Sequence, residues 1–214
     1  MNKQNLTQNA NVGKLLIFEG LDGSGKSTQI SLLSEYLKKL GHEVVTTREP
    51  GGTDLAERLR DLMLHNKMDG VTETFIAFAA RNDHINEFIK PQLSKGKWVL
   101  CDRFTDSTKA YQGAGRGISM GLIDSLSRSV ESDLNIHKVI FLDINECRSK
   151  ERIKSRNKKL DRFESENHDF IQRVRQGFKN AAKDRGAKAL WLNGDLSSEK
   201  IFSLIKNTIF NNET

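Results

Sequence analysis

The sequence predicts an α/β domain: a five-stranded parallel sheet with helices on both faces and a short basic lid. Three observations predict it. Five short apolar runs have the length and composition of buried strands. Segments of helical period separate them, the order expected of parallel strands joined by crossover helices. Polar, Gly- and Arg-bearing turns follow the first three runs, and ligands in such sheets bind outside the carboxyl ends of the strands.

Lys14-Leu15-Leu16-Ile17-Phe18 is the first strand, and a Gly-rich turn follows. From Ser27 onward Ile30, Leu33, Leu37 and Leu40 recur at helical spacing until Gly41 stops the helix. Val44–Thr47 reads as the second strand, Pro50-Gly51-Gly52 as a loop, and Leu55–Leu64 as a helix with Leu55, Leu59 and Leu62 on one face. Thr72–Leu93 carries a long helical pattern marked by Phe75, Phe78, Ile85 and Ile89. Trp98–Cys101 is the third strand. Asp102–Gly117, rich in Gly, Ser and Arg, shows no period. Leu122–Val130 is helical, Val139–Leu142 the fourth strand, and Glu146–Arg156 a helix that runs into the polar, basic stretch Asn157–Asp161. Phe163–Lys183 is helical, Ala189–Leu192 the fifth strand, and Ile201–Ile209 a closing helix.

Length and composition bound the function. The 214 residues suit one large domain. Hydrophobic residues at 36% and charged residues at 29% are polar for a globular chain but not the signature of disorder. No apolar run approaches 18 residues, so no membrane partner is expected. The net charge of +6 is modest, and the basic residues are neither blocked together nor interleaved with aromatics, so no nucleic-acid partner is expected. Cys101 and Cys147 lie far apart, each beside an apolar run. They predict buried thiols in a reducing compartment rather than a disulfide or a zinc site. Residues 1–12 lack an apolar h-region and predict a disordered tail rather than a signal peptide. A cytoplasmic location follows as an expectation, with a single domain over 13–211. The five histidines, His42, His65, His84, His137 and His168, show no metal spacing and suggest no role.

Gly20-Leu21-Asp22-Gly23-Ser24-Gly25-Lys26-Ser27 matches G-x-x-x-x-G-K-[ST] between a buried strand and a helix, the context the motif requires. Its glycines turn backbone N–H groups inward as an anion nest, and the helix N-terminus adds positive potential. Lys26 would reach the β- and γ-phosphates and Ser27 would ligate Mg²⁺. The motif predicts a P-loop NTPase fold binding a nucleoside triphosphate, and it does not say what is done with it. Asp22 is unusual among phosphates; it is either a solvated turn residue or faces a hydroxyl of a second substrate. Arg48-Glu49-Pro50-Gly51-Gly52-Thr53 and Asp102-Arg103-Phe104 each put an arginine at a strand's carboxyl end, where guanidinium recognises phosphate bidentately. Asp102 is a second candidate for Mg²⁺.

These segments, with Arg81 on its helix, Ser107-x-x-Ala110-Tyr111-Gln112-Gly113 and Leu160-Asp161-Arg162-Phe163-Glu164, occur in the order found in thymidylate kinases, and the chain closely resembles that family over residues 14–210. The resemblance implies phosphorylation of dTMP by ATP with Mg²⁺, on the route to dTTP, in a homodimer. It implies that Arg48 and Arg103 hold the dTMP phosphate, Asp22 meets the 3′-hydroxyl and Arg81 hydrogen-bonds the thymine. Thr108 would help to read the base, Tyr111 would wall the 2′ position with Gln112 beside it, and Pro50 would pack near the methyl group. Asn193-Gly194-Asp195 would border the adenine. Two departures stand out. Family members carry Phe four residues before the helix arginine, where this chain has Ala77. Phe78, or failing it Phe75, becomes the candidate to stack on the base, with a plain core role for Phe78 equally open. Some members carry Arg where Gly23 stands, so the charge for phosphoryl transfer must come from elsewhere. The basic stretch from Arg152 to Arg162 offers it as a lid over about residues 150–163, with Arg156 the first candidate and Arg152 the second, joining Lys26 and Arg103 as catalytic groups. A kinase of another nucleoside monophosphate and a nucleotide-switched binding protein are the rival readings. Dependence of ATP turnover on an added acceptor separates the enzyme from the switch.

Overall fold

A computed structural model describes residues 13–155 and 161–210. The proposed N-terminal tail over 1–12 and the middle of the basic lid, Arg156 included, lie outside the described residues.

The elements in chain order are β1 (Leu15–Glu19), α1 (Lys26–Lys39), β2 (Val44–Arg48), α2 (Asp54–His65), α3 (Gly70–His84), a π-helical turn Ile85–Ile89, α4 (Lys90–Ser94) and β3 (Trp98–Asp102). Then follow α5 (Thr105–Thr108), a π-helical segment Lys109–Gly115, α6 (Met120–Glu131), β4 (Ile136–Asp143), α7 (Glu146–Lys154), α8 (His168–Arg185), a 3₁₀ turn Gly186–Lys188, β5 (Ala189–Asn193) and α9 (Ser198–Phe210). The strands form one parallel sheet in the order β2-β3-β1-β4-β5. Alternation along β1 sends Leu15 and Ile17 to a core shared with Ile85, Ile89, Val174 and Phe178, and Leu16 and Phe18 to a core shared with Ile30, Leu33, Ile201 and Ile205. The sheet is therefore covered on both faces: α1 and α9 on one, the α3–α4 rod and α8 on the other. The register places Asp102 beside both Phe18 and Arg48, so the turns after β1, β2 and β3 open on the same edge.

Several elements depart from the expected ones for local reasons. The pattern over Thr72–Leu93 is broken by the π turn. Pro91 lacks an N–H and its ring would crowd the Glu87 carbonyl, and the Lys90 N–H bonds the Ile85 carbonyl instead, the wider spacing that relieves the clash. Asp102–Gly117, without a helical period, is helical from Thr105 to Gly115. Small residues stand in for pattern here: a Cβ at Gly177 of α8 would meet Ala110 Cα at 2.7 Å, so only glycine lets the two backbones approach so closely. Phe163 does not begin a helix. Asp161 accepts hydrogen bonds from the Phe163 and Glu164 N–H groups, making a turn, and Asn167 caps α8 through the Phe170 N–H. Leu55 and Leu62 do not face the core; they are 51% and 48% exposed, and Ala56 and Met63 are the buried residues of α2.

Candidate active site

The first half of the site is an anion cradle. β1 ends at Glu19, and the chain turns through Gly20, Gly23 and Gly25 at φ of 135°, 76° and 100° before α1 starts. A Cβ on Gly20 would stand 2.3 Å from the Leu142 carbonyl oxygen, so both the conformation and the space require glycine. Lys26 is 5% exposed, and its Nζ donates to the Gly20 and Leu21 carbonyls at 3.1 Å each. Burial, and then Arg103, push the Lys26 ammonium below its usual range, against Asp102, Asp22 and Glu19. The Ser24 hydroxyl in the same turn is buried without a partner.

Ser27 and Asp102 stand together at the cradle's edge, the Ser27 Oγ donating to Asp102 Oδ2 at 3.4 Å while Oδ1 is buried without a hydrogen-bond partner. Asp102 Oδ1 also pairs with the Lys26 ammonium at 3.8 Å. A hydroxyl and a carboxylate are hard ligands that fit Mg²⁺, which takes one or two protein oxygens and completes its shell with phosphate and water. Among the described residues no group of three or more His, Cys, Asp or Glu could hold a metal by itself.

Helix α7 leans on the cradle. Ser149 Oγ donates to the Asp22 carbonyl at 2.7 Å, and Arg152 donates to the Gly23 carbonyl at 3.1 Å and to the Gly194 carbonyl at 3.2 Å. This contact accounts for Gly23. A Cβ there would come within 2.9 Å of the Ser149 carbonyl and 3.3 Å of the Arg152 Cβ, so the space an arginine at 23 needs is taken by an arginine from α7. Arg152 also draws the turn Asn193-Gly194-Asp195 against the cradle.

The second half is a cavity lined by Asp22, Glu49, Pro50, Arg60, Ala77, Arg81, Arg103, Thr108, Tyr111, Gln112 and Phe163, among others. Glu49, Arg81, Thr108 and Gln112 are each 3% exposed. Arg81 donates through Nε to Glu49 Oε2 at 2.7 Å and through Nη2 to Thr108 Oγ1 at 3.0 Å; its Nη1 is buried without a partner. Gln112 donates to Glu73 at 2.6 Å. A buried wall with an unused guanidinium N–H suits a planar ligand that presents a carbonyl.

Arg103 joins the halves. It is a non-glycine residue at φ 73°, and its Nη2 donates to Asp22 Oδ1 at 2.8 Å and to the Tyr111 hydroxyl at 3.3 Å. Burial alone would weaken its charge, but Asp22 and the neighbouring Tyr111, Asp102 and Glu19 outweigh it and hold the guanidinium well above its ordinary value. Burial pushes the Tyr111 hydroxyl up. The backbone around Arg103 is fastened by fully buried Glu19, which accepts from the Phe104 N–H at 2.7 Å, the Ser107 N–H at 3.1 Å and the Ser107 hydroxyl at 2.6 Å. Burial and then Asp106 push the Glu19 carboxyl up to about 7.

Not every expected residue is in the cavity. Arg48 is 53% exposed and paired with Glu57 at 2.8 Å in a groove against α1. Arg60 of α2 lines the cavity instead, donating to the Pro50 carbonyl at 2.9 Å. Phe78 does not line the cavity; its ring sits on the Arg81 guanidinium at 4.7 Å, because neighbouring residues on a helix point about 100° apart and Ala77 takes the inward position. Phe75 is 50% exposed on the outer side of α3. Cys101 is buried, and burial raises its thiol well above the usual range, but Cys147 is exposed on α7. His84, to which the sequence suggests no role, is fully buried and bonded to Glu49 and Thr47. The signals it offered were its position three residues after Arg81, on the same face of α3, and its apolar neighbour Ile85.

A sequence model described as thymidylate kinase matches residues 18–205. A thymidylate kinase of Teredinibacter turnerae is 43% identical over 184 residues, covering 85% of this chain and 89% of that relative. One of Nostoc punctiforme is 41% identical over 201 residues, covering 92% and 95%. Among solved structures, the crystal structure of a thymidylate kinase from Ehrlichia chaffeensis aligns with a TM-score of 0.73 and 36% identity, covering 91% of this chain and 97% of that one.

Proposed function

The chain belongs to the thymidylate kinase family, and on that premise we propose how its own residues divide the work. The enzyme phosphorylates dTMP to dTDP with ATP as donor and Mg²⁺ as cofactor. The observation that carries the residue assignment is the Arg103–Asp22 contact, where the anion cradle and the buried cavity meet. On this reading Gly20 to Ser27 hold the ATP phosphates, with Lys26 on the β- and γ-phosphates. Ser27 and Asp102 hold Mg²⁺, which neutralises phosphate charge when bound. Arg103 binds the dTMP phosphate and aligns its oxygen with the γ-phosphorus, so catalysis rests on positioning and electrostatics without a covalent intermediate. Arg60 supplies the second positive charge that Arg48, tied to Glu57, does not. Asp22 faces the 3′-hydroxyl, Tyr111 and Gln112 wall the sugar, Arg81 and Thr108 read the base, and Pro50 packs near the methyl. The test is ADP release from ATP with and without dTMP. Turnover that depends on dTMP is expected; equal hydrolysis without an acceptor overturns the assignment.

Arg152 supplies the positive charge missing at Gly23. Arg152→Ala lowers kcat by about 10²-fold with little change in dTMP affinity, the mark of an interaction made chiefly in the transition state. Arg156, outside the described residues, is the alternative carrier. Steady-state kinetics on both alanine variants decides: a large kcat effect in Arg156→Ala and none in Arg152→Ala assigns the role to Arg156, and an effect in neither removes the lid from catalysis.

The enzyme works as a homodimer on this reading. Leu55 and Leu62 on α2, Val71 and Phe75 on α3 and Met120 on α6 are each between 42% and 51% exposed, on three helices of which α3 packs against the other two. A second copy covers these side chains in an isologous contact. Phe75→Glu halves the solution mass in analytical ultracentrifugation; wild-type protein sedimenting as a single chain overturns the pairing. No described helix is long and apolar enough to cross a membrane. On the family reading the expected partners are dTMP and a second chain, and the expected location is the cytoplasm.

A further inference from the structure

We propose that His84 is a positioning residue for base recognition: it holds Glu49 in the orientation that keeps one Arg81 N–H directed at the base. This rests on the reading of Arg81 given above.

The chain of contacts is continuous and buried. Thr47 Oγ1 lies 2.7 Å from His84 Nε2, His84 Nδ1 lies 3.1 Å from Glu49 Oε1, and Arg81 Nε donates to Glu49 Oε2 at 2.7 Å. With Nδ1 donating to the carboxylate, Nε2 accepts the Thr47 hydroxyl proton, and both ring nitrogens are satisfied. The ring has nowhere else to go. It stacks on Phe88 with centroids 5.7 Å apart, and a Cβ on Gly52 would stand 2.5 Å from Nε2, so the loop after β2 closes directly against it.

What His84 prevents is as informative as what it binds. A carboxylate beside an arginine prefers the two-pronged pairing in which both oxygens take an N–H. Here Oε1 belongs to His84, so Glu49 holds Arg81 by Nε alone. Nη2 is left for Thr108, and the Phe78 and Phe104 rings lie at 4.7 and 5.1 Å from the guanidinium carbon. Nη1 then remains as a buried, unpartnered donor of a cavity-lining residue. Removing His84 frees Oε1 to close a fork on Nε and Nη2. Nη2 has a second N–H that can stay with Thr108, but closing the fork rotates the guanidinium plane and turns Nη1 from its position. The consequence is lost discrimination between a base that presents a carbonyl at this point and one that presents an amine.

The readout is the ratio of kcat/KM for dTMP to that for dCMP, which does not depend on how much of a preparation is folded. His84→Leu lowers the ratio at least about tenfold and leaves the KM for ATP unchanged. His84→Asn, whose amide nitrogen can replace Nδ1, restores most of it. Thr47→Val, which frees the ring from its far side without touching the cavity, shifts the ratio in the same direction by less and provides the test if His84→Leu does not fold. Arg81→Leu is the control. If Arg81→Leu collapses the ratio and neither His84→Leu nor Thr47→Val moves it, the positioning role is overturned while base reading stands. If Arg81→Leu leaves the ratio unchanged, the base reading itself fails and the proposal with it.

Discussion

Lys26→Ala lowers kcat at least about 10²-fold and leaves dTMP affinity nearly unchanged, because the loss of one preorganised donor to a developing oxyanion costs about that much. The proposed role rests on where Lys26 stands in the fold. It opens α1, lies buried, and is pinned over the cradle by two carbonyls whose positions depend on Gly20 packing against the Leu142 backbone. Burial, and then Arg103, lower the affinity of its amine for a proton, against Asp102, Asp22 and Glu19. The cavity around Arg81 is walled by the turns after β1, β2 and β3, by α2 and α3 and by residues 107–112, and its walls do not include Lys26. A variant that loses turnover and keeps dTMP binding, measured by ADP release and calorimetry, is the expected result. Near-normal turnover in Lys26→Ala contradicts the assignment of the cradle.

The parts of the site legible in the sequence were those set by local chemistry. The P-loop is read directly because glycine, lysine and serine at that spacing answer to one backbone conformation. The central strands β1, β3 and β4 are legible because they are buried on both faces and need no alternation; the edge strands β2 and β5, only partly buried, are legible as short apolar or β-branched runs between turn signals. The rest depended on long-range placement. The helical phase that puts Ala77, rather than Phe78, toward the cavity is a difference of one residue on α3. The exchange of Arg48 for Arg60 depends on Glu57 lying across the β2 loop, close enough to take both the Arg48 guanidinium and the Gly52 N–H. His84 becomes part of the site only because β2 and α3 meet at Glu49, a contact between residues 35 apart in sequence. The Leu55–Leu62 stripe obeys helical period without facing the core of its own chain, and period alone does not say what a stripe packs against.

The central claim is that the cavity around Arg81 receives thymine beside the cradle that receives ATP. Its largest consequence is discrimination at the base. The wall near Pro50 and Ala77 is apolar, and one methyl group in such a pocket is worth about 1–3 kcal/mol, so dUMP falls behind dTMP by roughly 10–200-fold. dCMP falls further. Its 4-amino group brings donors to the unpartnered Arg81 N–H where thymine brings a carbonyl, and buried donors are then left facing each other, each at about 1–3 kcal/mol. On the proposed reading Tyr111, 7% exposed and held by Arg103, closes the sugar side against a 2′-hydroxyl. The direct measurement is competition: ATP labelled at the γ-position, offered to equimolar dTMP, dUMP, dCMP and the ribose analogue of dTMP, with the labelled diphosphates separated and counted. The account predicts label overwhelmingly in dTDP, a small fraction in dUDP, and less again in dCDP and the ribose product. Equal labelling of the dTMP and dCMP products contradicts it.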